Sequence, residues 1–169
     1  ATGGNNLALD AGAQGNITLS GNLTGKGDMT VRDGKVQSYQ VLTLNSLTIS
    51  DATTSVTLGD TLTAGGAVDI DSGGTIVINA AVNTSSSSSG TVALDSGGVT
   101  TVAAAGDINA GGAVTFGAAG LGGTLTTSGD IDTSDDNITF TNAVTLGGNV
   151  DIDTTGGSAG NILFSSTIA

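Results

Sequence analysis

The side chains of this sequence with the most chemical potential are aspartates set close together: Asp69 and Asp71, Asp130 and Asp132, Asp135 and Asp136, Asp151 and Asp153. Three of these groups read Asp-Ile-Asp. Along an extended strand the side chains alternate, so the isoleucine points to one side and both carboxylates to the other, ~6.5–7 Å apart. Paired carboxylates at that spacing, with a second pair nearby, are oxygen donors of the kind Ca2+ collects, about six to eight at a time. The densest run makes Asp130, Asp132, Asp135 and Asp136 the candidate metal ligands, with Ca2+ the implied ion. The calcium-binding repeat Gly-Gly-x-Gly-x-Asp-x-φ-x does not recur. The competing reading of the same residues is a charged surface that keeps the molecule soluble and discourages lateral association.

A second grouping holds every basic residue, Lys26, Arg32 and Lys35, with the single tyrosine, Tyr39. A tyrosine on an exposed sheet beside an arginine suits a sugar or a carboxylate. The alternative is solvated charge neutralising Asp28 and Asp33. Thr18, Thr30, Thr48, Thr57, Thr115, Thr139 and Thr145 are expected to face outward, but Asp69, Ala93 and Leu163 interrupt the flat threonine array that ice binding requires. Paired carboxylates are also the equipment of glycosidases. With no His, no Trp, one Arg and short turns, the sequence reads as a non-enzyme with no catalytic residue and no cofactor beyond Ca2+.

The elements that must position these residues follow a period. The three phenylalanines are evenly spaced, at 116, 140 and 164, and the strings Asn137-Ile138-Thr139-Phe140 and Asn161-Ile162-Leu163-Phe164 repeat at the same interval. Val114-Thr115-Phe116, Val92-Ala93-Leu94 and Val68-Asp69-Ile70 continue the series toward the N-terminus. A fixed period of about 20–50 residues means one structural unit per repeat, each burying its face against its neighbours. Within the unit the apolar residues come as φ-x-φ pairs, the alternation of a strand, with Gly, Asn, Asp and Ser between them. The coil from 138 carries three such groups, Ile138/Phe140, Val144/Leu146 and Val150/Ile152, and so implies three sheet faces. The expectation is an all-β, right-handed parallel β-helix of about seven coils of roughly 20–24 residues, a rod on the order of 30–35 Å long.

In chain order, Leu7/Leu9, Ile17/Leu19 and Leu23 open the first coil, and Met29/Val31 begins the next at nearly the same period. Residues 25–39, with the basic cluster, read as an irregular coil, and the serine-rich stretch 83–90 reads as a loop bulging from a corner. In the coils from 92 and 114 the later pairs decay to Val99, Val102, Leu121 and Leu125, which leaves their second and third faces without a register. Residues 1–169 are treated as a single solenoid segment. Helix has no support, because glycine is frequent, β-branched residues abound and no helical period persists.

Composition narrows the partners. Fifteen acidic against three basic residues give a net charge of −12, the wrong sign for phosphate backbones or anionic membranes. No Cys is present for disulfides or thiolate metal sites. No apolar run reaches membrane-spanning length, so no membrane insertion is expected. An apolar fraction of 37% with a clear period separates the chain from disordered low-complexity sequence.

The strings Gly-Asn-Ile-Thr-Leu, Asp-Asn-Ile-Thr-Phe and Gly-Asn-Ile-Leu-Phe, with Gly-Gly-Asn-Val-Asp-Ile-Asp between the last two, resemble the repeat regions of very large bacterial surface adhesins. These are the filamentous-haemagglutinin-like and autotransporter-like proteins. The likeness extends over most of the chain from Leu7 onward, and their secretion domain is not part of it. It implies a secreted, cell-surface segment serving as a stalk, fibre or adhesive array, with a glycan or another host-surface molecule as ligand. Calcium-stabilised and carbohydrate-binding modules are the alternatives.

The two ends also read as parts of one repeat. After Ile168 the expected continuation is a Gly-Gly-Asn turn and a φ-x-φ-Asp strand, and the N-terminus supplies Gly3-Gly4-Asn5-Asn6 and Leu7-Ala8-Leu9-Asp10. Gly15-Asn16-Ile17 then matches Gly160-Asn161-Ile162. Either a window on a longer array or a subunit associating end to end would produce this. By the same reasoning Asn16, Asn137 and Asn161 are expected at equivalent turns.

Overall fold

A computed structural model describes residues 4–25, 27–158 and 160–169, with the Val36 side chain outside the description. Among them there is no helix, and the strands stack in parallel as a β-solenoid of about seven turns.

Each turn contributes to three faces. The first face stacks Leu7–Asp10, residues 28–32, residues 46–50, Val68–Ser72, Val92–Ser96, Val114–Phe116, Ile138–Phe140 and Ile162–Phe164. The second stacks Asn16–Leu19, residues 36–39, residues 55–58, Thr75–Ile78, Val99–Val102, Thr124–Thr127 and Val144–Leu146. The third runs from Leu23–Thr24 through Leu42–Leu44, Leu62–Ala64, Val82–Asn83, Ile108–Ala110 and Ile131–Thr133 to Ile152–Asp153. Ile168 continues the second face by pairing with Val144.

One inward column passes through Leu7, Met29, Leu47, Val68, Val92, Val114, Ile138 and Ile162. The coil positions expected at 68, 92, 114, 138 and 162 are therefore those observed. The coils are unequal, the one from Met29 to Leu47 being clearly shorter than the one from Val68 to Val92. The surplus goes into corners. Residues 84–91, the serine-rich stretch, form a loop between third and first faces, closed by the Gly90 N–H donating to the Ser87 carbonyl at 2.8 Å.

The expectation of an irregular coil at 25–39 is corrected. Asp28–Tyr39 is one continuous strand of 12 residues, paired with Leu7–Asp10 and Asn16–Leu19 on one side and with Ser46–Leu58 on the other. It turns the corner between first and second faces without a break in the strand, through Asp33 in the left-handed region and a register shift between Gly34 and Val36. Aspartate tolerates that region better than most side chains. The polar composition that suggested irregularity belongs to a bent strand whose outward side is charged.

Tyr39 is corrected as well. It is fully buried on the second face, in a column with Leu19 and Leu58, and its hydroxyl donates to Gln37 Oε1 at 2.7 Å. Burial pushes its phenol well above the ordinary value of 10.0. It is a core residue and offers no sugar platform.

The lost register in the coils from 92 and 114 is resolved by threonine in the interior. Thr100 takes the inward place between Ile76 and Leu125, and Val99 turns outward. The Thr100 hydroxyl is 2.9 Å from that of Ser96. Thr84, Thr133 and Thr154 are buried at the corner from third to first face, and each hydroxyl donates to a turn carbonyl, of Gly90, Asp136 and Gly160 respectively. A buried hydroxyl needs a partner, and the tight corner places one within reach.

The phenylalanine column is a stack. Phe116 and Phe140 lie 5.2 Å apart between ring centroids at 5°, and Phe140 and Phe164 lie 4.4 Å apart at 10°. Leu94 and Ile70 continue the column as expected. Parallel stacking of near-identical coils forces face-to-face approach, since equivalent rings in register stand one strand spacing apart, ~4.8 Å. Phe140→Ala should cost ~3–5 kcal/mol in chemical denaturation. Phe140→Leu should cost less, because Leu94 shows that leucine fits the column; equal losses from the two variants would contradict the stack.

Asn137 and Asn161 form the expected ladder: Asn137 Oδ1 accepts from Asn161 N at 2.8 Å and from its Nδ2 at 3.3 Å. Asn16 does not belong to it. It opens a second-face strand opposite Val36, and the counterpart of Asn137 in the first coil is Asn6, whose Oδ1 accepts from Asp28 N at 2.9 Å. The splice of the two ends changes accordingly. Leu7–Asp10 is in register on the first face, one face away from the third-face strand that the comparison required. All three faces begin with a polar turn residue followed by an inward apolar one, so matching strings does not identify the face. Asn137→Ala should lower stability by ~0.5–1.5 kcal/mol, the worth of the ladder bonds, measured by the same unfolding assay.

Candidate functional site

The Asp-Ile-Asp strings place the isoleucine inward, Ile70 and Ile131 fully buried, with their aspartates on the outer surface. The four candidate metal ligands separate into different roles. Asp130 belongs to a ladder in which Asp130 N donates to Asp107 Oδ1 at 3.0 Å and Asp151 N donates to Asp130 Oδ1 at 2.7 Å. Each accepting carboxylate of this ladder thus satisfies a backbone N–H at the start of the next third-face strand. Asp135, left-handed at φ 74°, accepts from Ser158 N at 2.7 Å through Oδ1. Asp136 uses its backbone carbonyl to accept from the Thr133 hydroxyl at 2.6 Å.

Asp132 lines an open groove. It pairs in register with Asn109 below and Asp153 above, and Asn83 extends the column by one coil. Ser85, Ser134 and Thr155 complete the rim of this polar trough along the third face. Among the described residues no three His, Cys, Asp or Glu side chains are placed to hold one metal ion together. The four aspartates are close along the chain, but a strand and a left-handed turn lie between their carboxylates.

The two carboxylates of the trough titrate apart. Burial first, then Asp153, Asp130, Asp151 and Asp107, raise Asp132 above the ordinary 3.8. The Thr155 hydroxyl and N–H bonded to Asp153 hold that group below it. Asp71, on the first face, is raised by burial and then by Asp69, Asp95 and Asp51. In both raised groups burial leads, and in-register stacking adds to it, since like charges recur at neighbouring coils.

The described members of the basic cluster divide between surface and core. Arg32 and Lys35 are exposed on the bent strand, Tyr39 is in the core, and Lys26 lies outside the described residues. Asp28 is engaged by the Asn45 amide and the Ser46 hydroxyl, which hold its carboxyl below 3.8. The interrupted threonine array is as expected: Thr30, Thr48, Asp69, Ala93, Thr115, Thr139 and Leu163 share one outward column. Sequence reasoning missed the buried carboxylate of Asp95, 2% exposed, whose only signal was its place one coil above Asp71.

No protein-family profile, curated protein or solved structure matches the chain.

The raised carboxyls set a pH dependence. Where the folded pKa exceeds the unfolded one, the folded state holds more protons between the two values, and stability falls as pH rises through that window. Above both values the whole cost is present. In metal-free buffer the melting temperature should therefore rise as pH falls from 7 toward the raised values of Asp71 and Asp132, before the lowered carboxyls of Asp28 and Asp153 protonate. Asp71→Asn or Asp132→Asn should raise it at pH 7 by about 1–3 °C and flatten the profile; calorimetry across pH 4–7 checks both.

Proposed function

We propose that the chain is an extracellular structural or adhesive repeat segment of a bacterial surface protein, building a rod, stalk or fibre. The observation that carries this reading is the continuous stacking of three parallel faces through about seven turns. In such a stack each coil contacts only its neighbours, so length grows by ~4.8 Å per coil without any new core. Further coils, of the same polypeptide or of a second copy stacked end to end, are the natural neighbours. The acidic surface keeps neighbouring rods apart and disfavours nucleic acid and anionic membrane. On this reading the chain performs no catalysis, and it is displayed at the cell surface.

The adhesive part of the proposal falls on the third-face trough. Its column of Asn83, Asn109, Asp132 and Asp153 presents amides and carboxylates at strand spacing, an arrangement suited to the hydroxyls of an extended glycan. Two copies fused in tandem should give particles about twice as long at unchanged width in electron microscopy and sedimentation velocity; a particle that thickens instead of lengthening refutes the rod. On a glycan array and on host cells, Asn109→Ala should weaken retention at least tenfold. Wild-type protein that binds neither would remove the adhesive role and leave the structural one.

A further inference from the structure

The corner between first and second faces holds a different acidic site. A cavity of about 370 Å3 opens there, lined by Asp33, Asp51, Asp71, Ser72, Ala119 and Leu121 among others, with no basic side chain among the described residues of its lining. Asp33 and Asp51 have a backbone reason to be there, since both are left-handed, at φ 46° and 61°, where the strands bend. Asp71 and Asp95 have none. They sit in register one coil apart on the first face.

Asp95 is the informative residue. Leu94 before it points into the core, so alternation turns the Asp95 carboxylate to the outside, where a carboxylate is ordinarily hydrated. It is nevertheless 2% exposed. The cover is the segment 117–122, Gly-Ala-Ala-Gly-Leu-Gly, which carries left-handed glycines at 117, 120 and 122. The Leu121 N–H reaches Asp95 Oδ2 at 3.4 Å, a weak bond, and Oδ1 is shut off from solvent with no partner among the described residues. An ionised oxygen closed away in that manner is costly unless a charge answers it.

We propose that this corner binds a divalent cation, Ca2+, between Asp71 and Asp95 beneath the 117–122 loop. The strands that carry Asp71 and Asp95 are neighbours in register, ~4.8 Å apart, about twice the Ca–O distance of roughly 2.3–2.6 Å, so side chains leaving them on the same side are within reach of one ion. Asp33 and Asp51 on the far wall deepen the negative field. Backbone carbonyls and water complete a shell that Ca2+ accepts in irregular geometry and Mg2+ does not. The donors are all oxygen, which disfavours the softer metals. The same ion answers both the burial and the like-charge repulsion that raise Asp71.

This proposal stands independently of the rod reading and is tested separately. Thermal unfolding at pH 7 is followed with CaCl2, MgCl2 or EDTA, together with calorimetric titration of Ca2+. Calcium at a hundredfold excess over Kd should raise the melting temperature by about 5–10 °C, with one ion per chain and a smaller effect of Mg2+. Asp95→Asn should abolish the calcium shift and raise the melting temperature in EDTA, because it removes the unanswered charge. Asp132→Asn, on the third face, should keep the calcium shift. If Asp95→Asn does not fold, loss of the shift in Asp71→Asn supports the site in its place. A wild-type chain indifferent to calcium, or a shift that survives in Asp95→Asn or Asp71→Asn, overturns the site.

Discussion

The strands of this molecule find their hydrogen-bond partners in the coils above and below them. A buried backbone N–H or carbonyl must be paired, so neighbouring coils have to agree residue by residue along each face. Corners carry no such obligation. This is why the short coil from Met29 to Leu47 and the long one from Val68 to Val92 stack in the same column, the difference being taken up by loops such as 84–91. Where a coil has too few residues for a loop, the strand itself bends through left-handed Asp33 or Asp51. The register shifts beside those residues, between Gly34 and Val36 and between Ile49 and Ala52, mark the bend.

In-register stacking multiplies whatever one coil places at a position. Inside, it turns a single phenylalanine into a stack of three and a single isoleucine into a column, giving a continuous core. Outside, it turns single aspartates into columns of like charge. The chain moderates this by giving carboxylates backbone work. Asp107 and Asp130 each accept a backbone N–H of the next coil, as Asn6 and Asn137 do on the first face. Asp71, Asp95 and Asp132 have no donor as well placed among the described residues.

The interior is less uniform than its aliphatic columns suggest. Gln37 and Tyr39 share a buried hydrogen bond in the second coil, and Thr84, Thr133 and Thr154 give hydroxyls to turn carbonyls at one corner. The three threonines lie at a turn, where a small hydroxyl with a carbonyl in reach is satisfied.

The period, the φ-x-φ pairs and the phenylalanine spacing determined the parallel solenoid, its three faces and the first-face register from Val68 onward. Each of these follows from alternation along one strand and repetition between coils, both of which are linear in the chain. What the sequence alone left open depended on the third dimension. Strings such as Gly15-Asn16-Ile17 and Gly160-Asn161-Ile162 look alike but fall on different faces, because every face opens with a polar turn residue and an inward apolar one. Tyr39 read as surface, and the inward Thr100 went unrecognised between Val99 and Val102, because polarity is a property of the residue, whereas burial is a property of its neighbours. Among the carboxylates, the sequence pointed to 130–136, where four aspartates are close in the chain. The tertiary structure divided those four and closed Asp95 under a loop from the next coil, since proximity to an ion is set by stacking across coils rather than by spacing along them.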